Sequence, residues 1–272
     1  MTDAIFRRDG AAFVPTQLAG SPWGPGLLHG GPPAGLLALA VEGAASAPDF
    51  HIARLTIDLF RPVPMEPLRM WAETVREGKR IQVVQASLFA SGTEVSRATA
   101  LLLRLSEVEL PPSALPLAAY LDGPEDLPET GLGMRPEGRE ERAAFQMLPG
   151  FHTAVEVRRL AGAAGSGKGT AWIRIPVPFI EGEETSPLVR VAATSDFGNA
   201  LGHVRPNDNV GFINADISLY LHRMPRGEWI CLETSGLAEP HGLGMVETVV
   251  HDTHGPVGRA VQAVIVNRRH VE

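Results

Sequence analysis

Eight stretches of this chain alternate apolar and polar residues. They cover 52–60, 68–76, 80–90 and 94–105, and again 212–222, 228–238, 243–251 and 257–267. Ile217-Ser218-Leu219-Tyr220-Leu221 shows the alternation plainly. A period of two sends one face of an extended chain to a core and the other to water, so each stretch predicts a strand. Short glycine-bearing pairs mark reversals between them: Glu77-Gly78, Ser91-Gly92, Arg226-Gly227 and His254-Gly255. Each set of four follows an apolar segment that opens on proline, 32–43 and 187–200. Proline suits a first helical turn, where its missing N–H would be unpaired anyway, so both segments predict helices. Shorter strands are expected over 11–15, 153–160 and 169–177. A helix followed by an antiparallel meander is an α+β unit, and here it occurs twice.

The two sets are related in sequence as well as in order. A shift of 162 residues carries Leu55, Ile57, Leu59 and Arg61 onto Ile217, Leu219, Leu221 and Arg223. The same shift carries Ile81, Val83 and Val84 onto Leu243, Met245 and Val246, and Val95, Arg97 and Ala98 onto Val257, Arg259 and Ala260. One offset through three segments points to an internal duplication. Between the copies, 106–150 holds Pro111, Pro112, Pro116, Pro124, Pro128, Pro136 and Pro149 among clustered acids. Proline breaks both helix and sheet, so this reads as a linker, with one short helix expected over 114–121. The expected organisation is 1–105, a linker over 106–150, and 151–272.

Composition narrows the function without naming it. The 272 residues carry a formal charge of −7, which argues against nucleic acid or an anionic membrane surface as partner. The single cysteine, Cys231, excludes a disulfide framework and a cysteine-built zinc site. Met1–Gly10 has charges and no apolar run, and no stretch approaches a membrane span, so the expectation is a cytoplasmic protein.

Several motifs invite chemistry. The run from Gly162 to Thr170 is one residue from a phosphate-binding loop, but Gly169 follows Lys168 where Ser or Thr is needed. A strand follows where a helix is required, so a flexible hairpin is expected. His251-Asp252-Thr253-His254 sits at a hairpin tip with no third ligand placed by spacing, so no metal is expected. No Gly-x-Ser-x-Gly elbow is present to anchor a serine hydrolase. Leu28-His29-Gly30-Gly31-Pro32-Pro33 is different. Two glycines before a helix let a ligand approach backbone N–H groups and the positive end of the dipole, although a plain tight turn would look the same. Asp196 falls in an apolar helix, costly to bury unless paired or functional, and Gly198-Asn199 could equally mark a helix end. Asn214, Asp216 and Ser218 share one face of a strand by period two, which could be merely solvated. Gln262 interrupts an apolar run, Val261 to Val266, and a buried amide needs partners, structural or functional.

These residues together resemble a known family. Trp23 to Pro33, with its His29-Gly30-Gly31, and Leu55 to Pro62 resemble the thioesterase-like, acyl-CoA thioesterase II superfamily. Phe212 to Arg223, Gly227-Glu228-Trp229 and Gly255 to Gln262 resemble its C-terminal half. The resemblance implies a tandem, or double, hotdog, in which each half wraps an antiparallel sheet around a central helix. It implies hydrolysis of an acyl-CoA by an activated water, with no cofactor and with assembly into a homodimer or larger oligomer. An Asp, a Thr and a Gln hold the water in that family. The Asp falls on Asp196 and the Gln on Gln262, whereas the Thr position holds Asn214, whose amide lacks the single hydroxyl rotor. By the same carry-over the oxyanion falls to N–H groups near Gly30 and Gly31, with His29 behind them or gating. Two rivals remain: a non-catalytic acyl-CoA-binding or scaffolding double hotdog, and a hotdog hydratase or dehydratase. The latter needs an Asp/His dyad, and the first histidine after Asp196 in sequence is His203.

Overall fold

The computed structural model describes residues 3–22, 24–45, 49–114, 121–132, 149–204 and 210–268. Strands β1 (Phe6–Asp9) and β2 (Ala12–Pro15) lead to helix α1 (Gly31–Ala44). A meander follows: β3 (Phe50–Asp58), β4 (Leu68–Arg76), β5 (Ile81–Ala90) and β6 (Thr93–Arg104). Beyond the linker come α2 (Phe151–Ala154), β7 (Glu156–Ala161), β8 (Lys168–Arg174), α3 (Pro187–Ser195) and α4 (Phe197–Leu201). The second meander is β9 (Val210–Asn214), β10 (Asp216–Leu221), β11 (Ile230–Ala238), β12 (Leu243–Asp252) and β13 (Gly255–Arg268). The named strands pair antiparallel, and the sheet runs β1-β2-β4-β5-β6-β3-β10-β13-β12-β11-β8-β7, with β9 also on β13. This is the double hotdog, an α+β fold, with α1 packed on β4, β5 and β6 and α4 on β8, β11 and β12.

The duplication is visible in the ladder. The shift of 162 carries β4 onto β11 and β5 onto β12, end to end. The halves join where β3 meets β10, and there Thr56 pairs with Ser218, its own equivalent under the shift. A near two-fold axis therefore passes through that pair. On either side Leu55 faces Leu219 and Ile57 faces Ile217, all four buried. One apolar core runs through both halves, with Leu36, Leu37, Phe179 and Val191 in it. Each fully buried Leu or Ile of this kind contributes about 1.5–3 kcal/mol.

Two expected elements are divided. The single helix over 187–200 breaks at Asp196, the last residue before α4, although its backbone stays helical (φ −60°, ψ −29°). The single strand over 212–222 breaks at Ala215 into β9 and β10. Asn214 pairs with Val264 but Ser218 with Val261, a slip of one residue along β13. Asp216 stabilises the slip by accepting the Ala263 N–H at 2.6 Å and the Ser218 hydroxyl at 3.2 Å. Such an irregularity re-aims side chains. Asn214 therefore leaves the face it was expected to share with Asp216 and Ser218, and turns to α3.

In the linker, Pro112–Ala114 form a short 3₁₀ turn, while most of the helix expected over 114–121 lies outside the described residues. Described linker segments pack on the sheet edge. Trp172 Nε1 donates to Asp122 O at 2.8 Å, and Thr130 N donates to Val157 O at 2.8 Å. Among the described residues no helix is long and apolar enough to cross a membrane.

Candidate active site

The loop before α1 comes from the first half, and the α3–α4 junction from the second. They meet at Asp196. His29 Nδ1 lies 2.7 Å from Asp196 Oδ2, and Asn214 Nδ2 donates to Asp196 Oδ1 at 2.7 Å. The backbone N–H of Gly31 also favours the charged carboxylate. Asp196 is only 6% exposed, and a carboxylate so far from water stays charged only with such partners. Burial pushes its pKa up. Contact with His29, with the donors Asn214 and Gly31, outweighs burial and holds the carboxyl below its ordinary value.

Glycine makes the approach possible. A Cβ on Gly30 would sit 2.8 Å from both Asp196 oxygens, and one on Gly31 would sit 2.5 Å from Ala193 O and Phe151 Cε1. The His29 ring packs on Phe197 and Phe151, with centroids 4.9 and 5.5 Å away, and those two phenyl rings stack on each other at 5.3 Å. The Gly31 N–H also lies 3.2 Å from His29 Nδ1 and could donate there only to an unprotonated nitrogen. The shorter contact decides: a carboxylate oxygen and a ring nitrogen 2.7 Å apart share a proton, so Nδ1 carries it. The Gly31 amide is thus directed at the His29–Asp196 pair and is not free for an oxyanion.

Asn199 lies one turn beyond Asp196. Its Nδ2 donates to Phe212 O at 3.3 Å and to Asn214 Oδ1 at 3.4 Å. This fixes the orientation of Asn214, oxygen toward Asn199 and NH₂ toward Asp196. Asn214 therefore holds the carboxylate and does not reach for water in the threonine manner. Gln262, 1% exposed, has no hydrogen-bond partner on either side-chain atom among the described residues, and so none to Asp196. It lies against the start of α4. A Cβ on Gly198 would be 3.0 Å from Gln262 Oε1 and 2.8 Å from Thr248 Oγ1. Thr248 Oγ1 is 3.1 Å from Thr234 Oγ1, while Thr194 Oγ1 and Asn199 Oδ1, also buried, have no hydrogen-bond partner among the described residues.

The structure thus gathers Asp196, Asn214, His29, Gly30 and Gly31 into one network and sets Gln262 beside it. The histidine that meets Asp196 is not His203, whose ring packs on Phe212 at 5.0 Å, but His29, 167 positions earlier in the chain. Sequence reasoning missed Asn199, Thr248, Thr234 and Gly198. Thr248 had a signal, being a polar residue in phase with buried Val246 and Val250.

The remaining motifs are structural. Gly162, Gly165 and Gly167 hold positive φ in a hairpin loop, and strand β8 begins at Lys168 where a phosphate-binding loop would need a helix. Asp252 is clamped by Arg223, with Nη2 at 2.7 Å, and by the amides of Arg226 and His254. His251 Nε2 lies 3.2 Å from Glu233.

Comparison with known proteins agrees with this fold. A model of the acyl-CoA thioesterase N-terminal domain matches residues 19–103, and one of the acyl-CoA thioesterase C-terminal domain matches 124–266. A hot dog fold protein of unknown function from Alicyclobacillus acidocaldarius is 17% identical, with 98% of this chain and 96% of that one covered and a TM-score of 0.69. An acyl-CoA thioesterase II from Mycobacterium marinum is 16% identical over 90% of this chain and 91% of its own, with a TM-score of 0.62. The tesB protein of Mycobacterium avium subs paratuberculosis is 15% identical over 96% and 95%, with a TM-score of 0.63. At these identities the likeness establishes fold alone. No curated protein matches the chain. The two domain matches cover both halves, and the chain belongs to the acyl-CoA thioesterase family.

Proposed function

We propose that the protein hydrolyses a fatty acyl-CoA thioester to the free acid and CoA, with water as nucleophile. The observation that carries this reading is Gln262. A buried amide with neither atom partnered, set against the helix start next to an ionised Asp196, is suited to hold a small hydrogen-bonding group such as water. The His29–Asp196 pair stands beside that seat, and membership of the thioesterase family supplies the substrate class. We assign this work to a cytoplasmic homodimer or larger assembly, because strand edges of hotdog sheets favour partners. Light scattering that shows a monomer at all micromolar concentrations would refute the assembly.

The His29–Asp196 contact favours a second reading, addition of water to an enoyl-CoA or its reversal. One purified-protein experiment separates the outcomes: CoA release from acyl-CoAs of short to long chain, loss of enoyl absorbance, and binding without turnover. CoA release is the expected result. Binding of acyl-CoA with no release at any chain length would sink the hydrolase reading.

A further inference from the structure

We infer that His29, and not Asp196, takes the proton from the attacking water. The assignment deepens the hydrolase reading and rests on it. Two donors already hold the Asp196 carboxylate, His29 Nδ1 at 2.7 Å and Asn214 Nδ2 at 2.7 Å, and the Gly31 backbone also favours its charge. A proton placed on that carboxylate would cost those bonds, and the group is a correspondingly weak base. With the proton of the imidazole on Nδ1, the ring presents a lone pair at Nε2, on its far edge. The ring cannot easily reorient, because Phe197 from α4 and Phe151 from α2 pack on it. From the α3–α4 junction the charged group that faces it is Asp196. A buried carboxylate on Nδ1 stabilises the imidazolium that forms once Nε2 accepts a proton.

The step balances within this pair. Water oxygen bonds to the thioester carbonyl carbon while one water proton passes to Nε2. The tetrahedral oxyanion then re-forms its carbonyl, the C–S bond breaks, and Nε2–H returns the proton to the departing sulfur. Acid and thiol leave, and the imidazole is neutral again. Asp196 is a positioning residue throughout, and its charge is never discharged.

The test has two arms. His29→Asn can still donate to Asp196 but has no lone-pair nitrogen, and it should lose roughly 10²–10⁴-fold in kcat with far less change in KM. In His29→Ala, added imidazole should restore rate in proportion to its neutral form. Near-wild-type kcat in His29→Asn, or rescue blind to the protonation of the added base, would overturn the assignment. The second arm does not need turnover. Nitrogen-15 spectra of the His29 ring at neutral pH should show the proton on Nδ1, and a proton on Nε2 refutes the proposal. If no acyl-CoA is hydrolysed at all, the hydrolase reading fails, and the spectra still decide the state of His29.

Discussion

Replacing Asn214 by alanine removes one donor from a buried carboxylate, and the cost follows from the contact. The bond is short, 2.7 Å, and its acceptor is charged. Bonds of that class contribute about 1.5–3 kcal/mol. Asn199 loses one acceptor but keeps Phe212 O at 3.3 Å, so it adds little to the cost. Asn214→Ala should therefore lose about 1.5–3 kcal/mol of unfolding free energy at neutral pH, or about 3–6 °C in Tm at about 2 °C per kcal/mol for a chain of this size. The sign of the pH effect is fixed too. Asp196 titrates below its ordinary value in the folded state. Its stabilisation is present above its unfolded pKa and disappears as pH falls through the folded one. Without Asn214 the folded pKa rises, and acid unfolding should start at higher pH. Urea unfolding of wild type, Asn214→Ala, Asp196→Ala and the double variant measures the coupling directly. In the Asp196→Ala background the second substitution should cost little. If it costs the same in both backgrounds to within about 0.5 kcal/mol, the two side chains are independent and the reasoning is wrong.

Other substitutions probe the same network and its surroundings. Asp196→Asn offers one acceptor where two were used and cannot hold the His29 tautomer. A CoA-release assay should show a drop of roughly 10²–10⁴-fold, and near-normal turnover would remove Asp196 from the mechanism. Gly198→Ala places a methyl 2.8 Å from Thr248 Oγ1 and 3.0 Å from Gln262 Oε1. Displacing that amide should cost about 1–3 kcal/mol in the barrier, roughly 5- to 150-fold in kcat, and an unchanged kcat would mean Gln262 takes no part. Asp252→Ala should destabilise by about 3 kcal/mol, at the low end for a broken buried pair because Arg223 keeps some contact with water. Burial raises the Asp252 pKa, but Arg223 and the two amides outweigh it and bring it down, so its contribution is lost as pH falls through the folded value. Acid melts of wild type and Asp252→Ala should therefore converge.

Strand periodicity was enough to locate the meanders. β4 was expected over 68–76 and observed at Leu68–Arg76, because alternation there meets a half-buried sheet face. What periodicity could not reveal is the slip at Ala215, since it depends on Asp216 capturing an amide of β13, a contact 47 residues away. The site divides in the same way. Asp196 and Gln262 stood out as polar residues in apolar surroundings, a local signal. The pairing of His29 with Asp196 had none, being created where the two halves fold together. Near Asp196 in sequence the first histidine that follows is His203, whereas the fold supplies His29 from the other copy. Asn199 was within reach of reasoning, three residues after Asp196 on a helix and hence on the same side.

The duplicated ladder has one more consequence. Carried back by 162 residues, Gln262 falls on Ala100, Thr248 on Ala86 and Thr234 on Ala72. Ala100 and Ala86 are completely buried, so the equivalent ground in the first half is closed by methyl groups. Two identical subunits joined by a two-fold axis would have had two equal centres. Fusion into one chain released the copies from that equality. The first half kept a loop that delivers an imidazole, the second kept the carboxylate and the amides, and the spare cradle was silted up with alanine. Neither half alone supplies the network at Asp196, and at the mirror position of Gln262 and Thr248 the described residues offer only methyl groups.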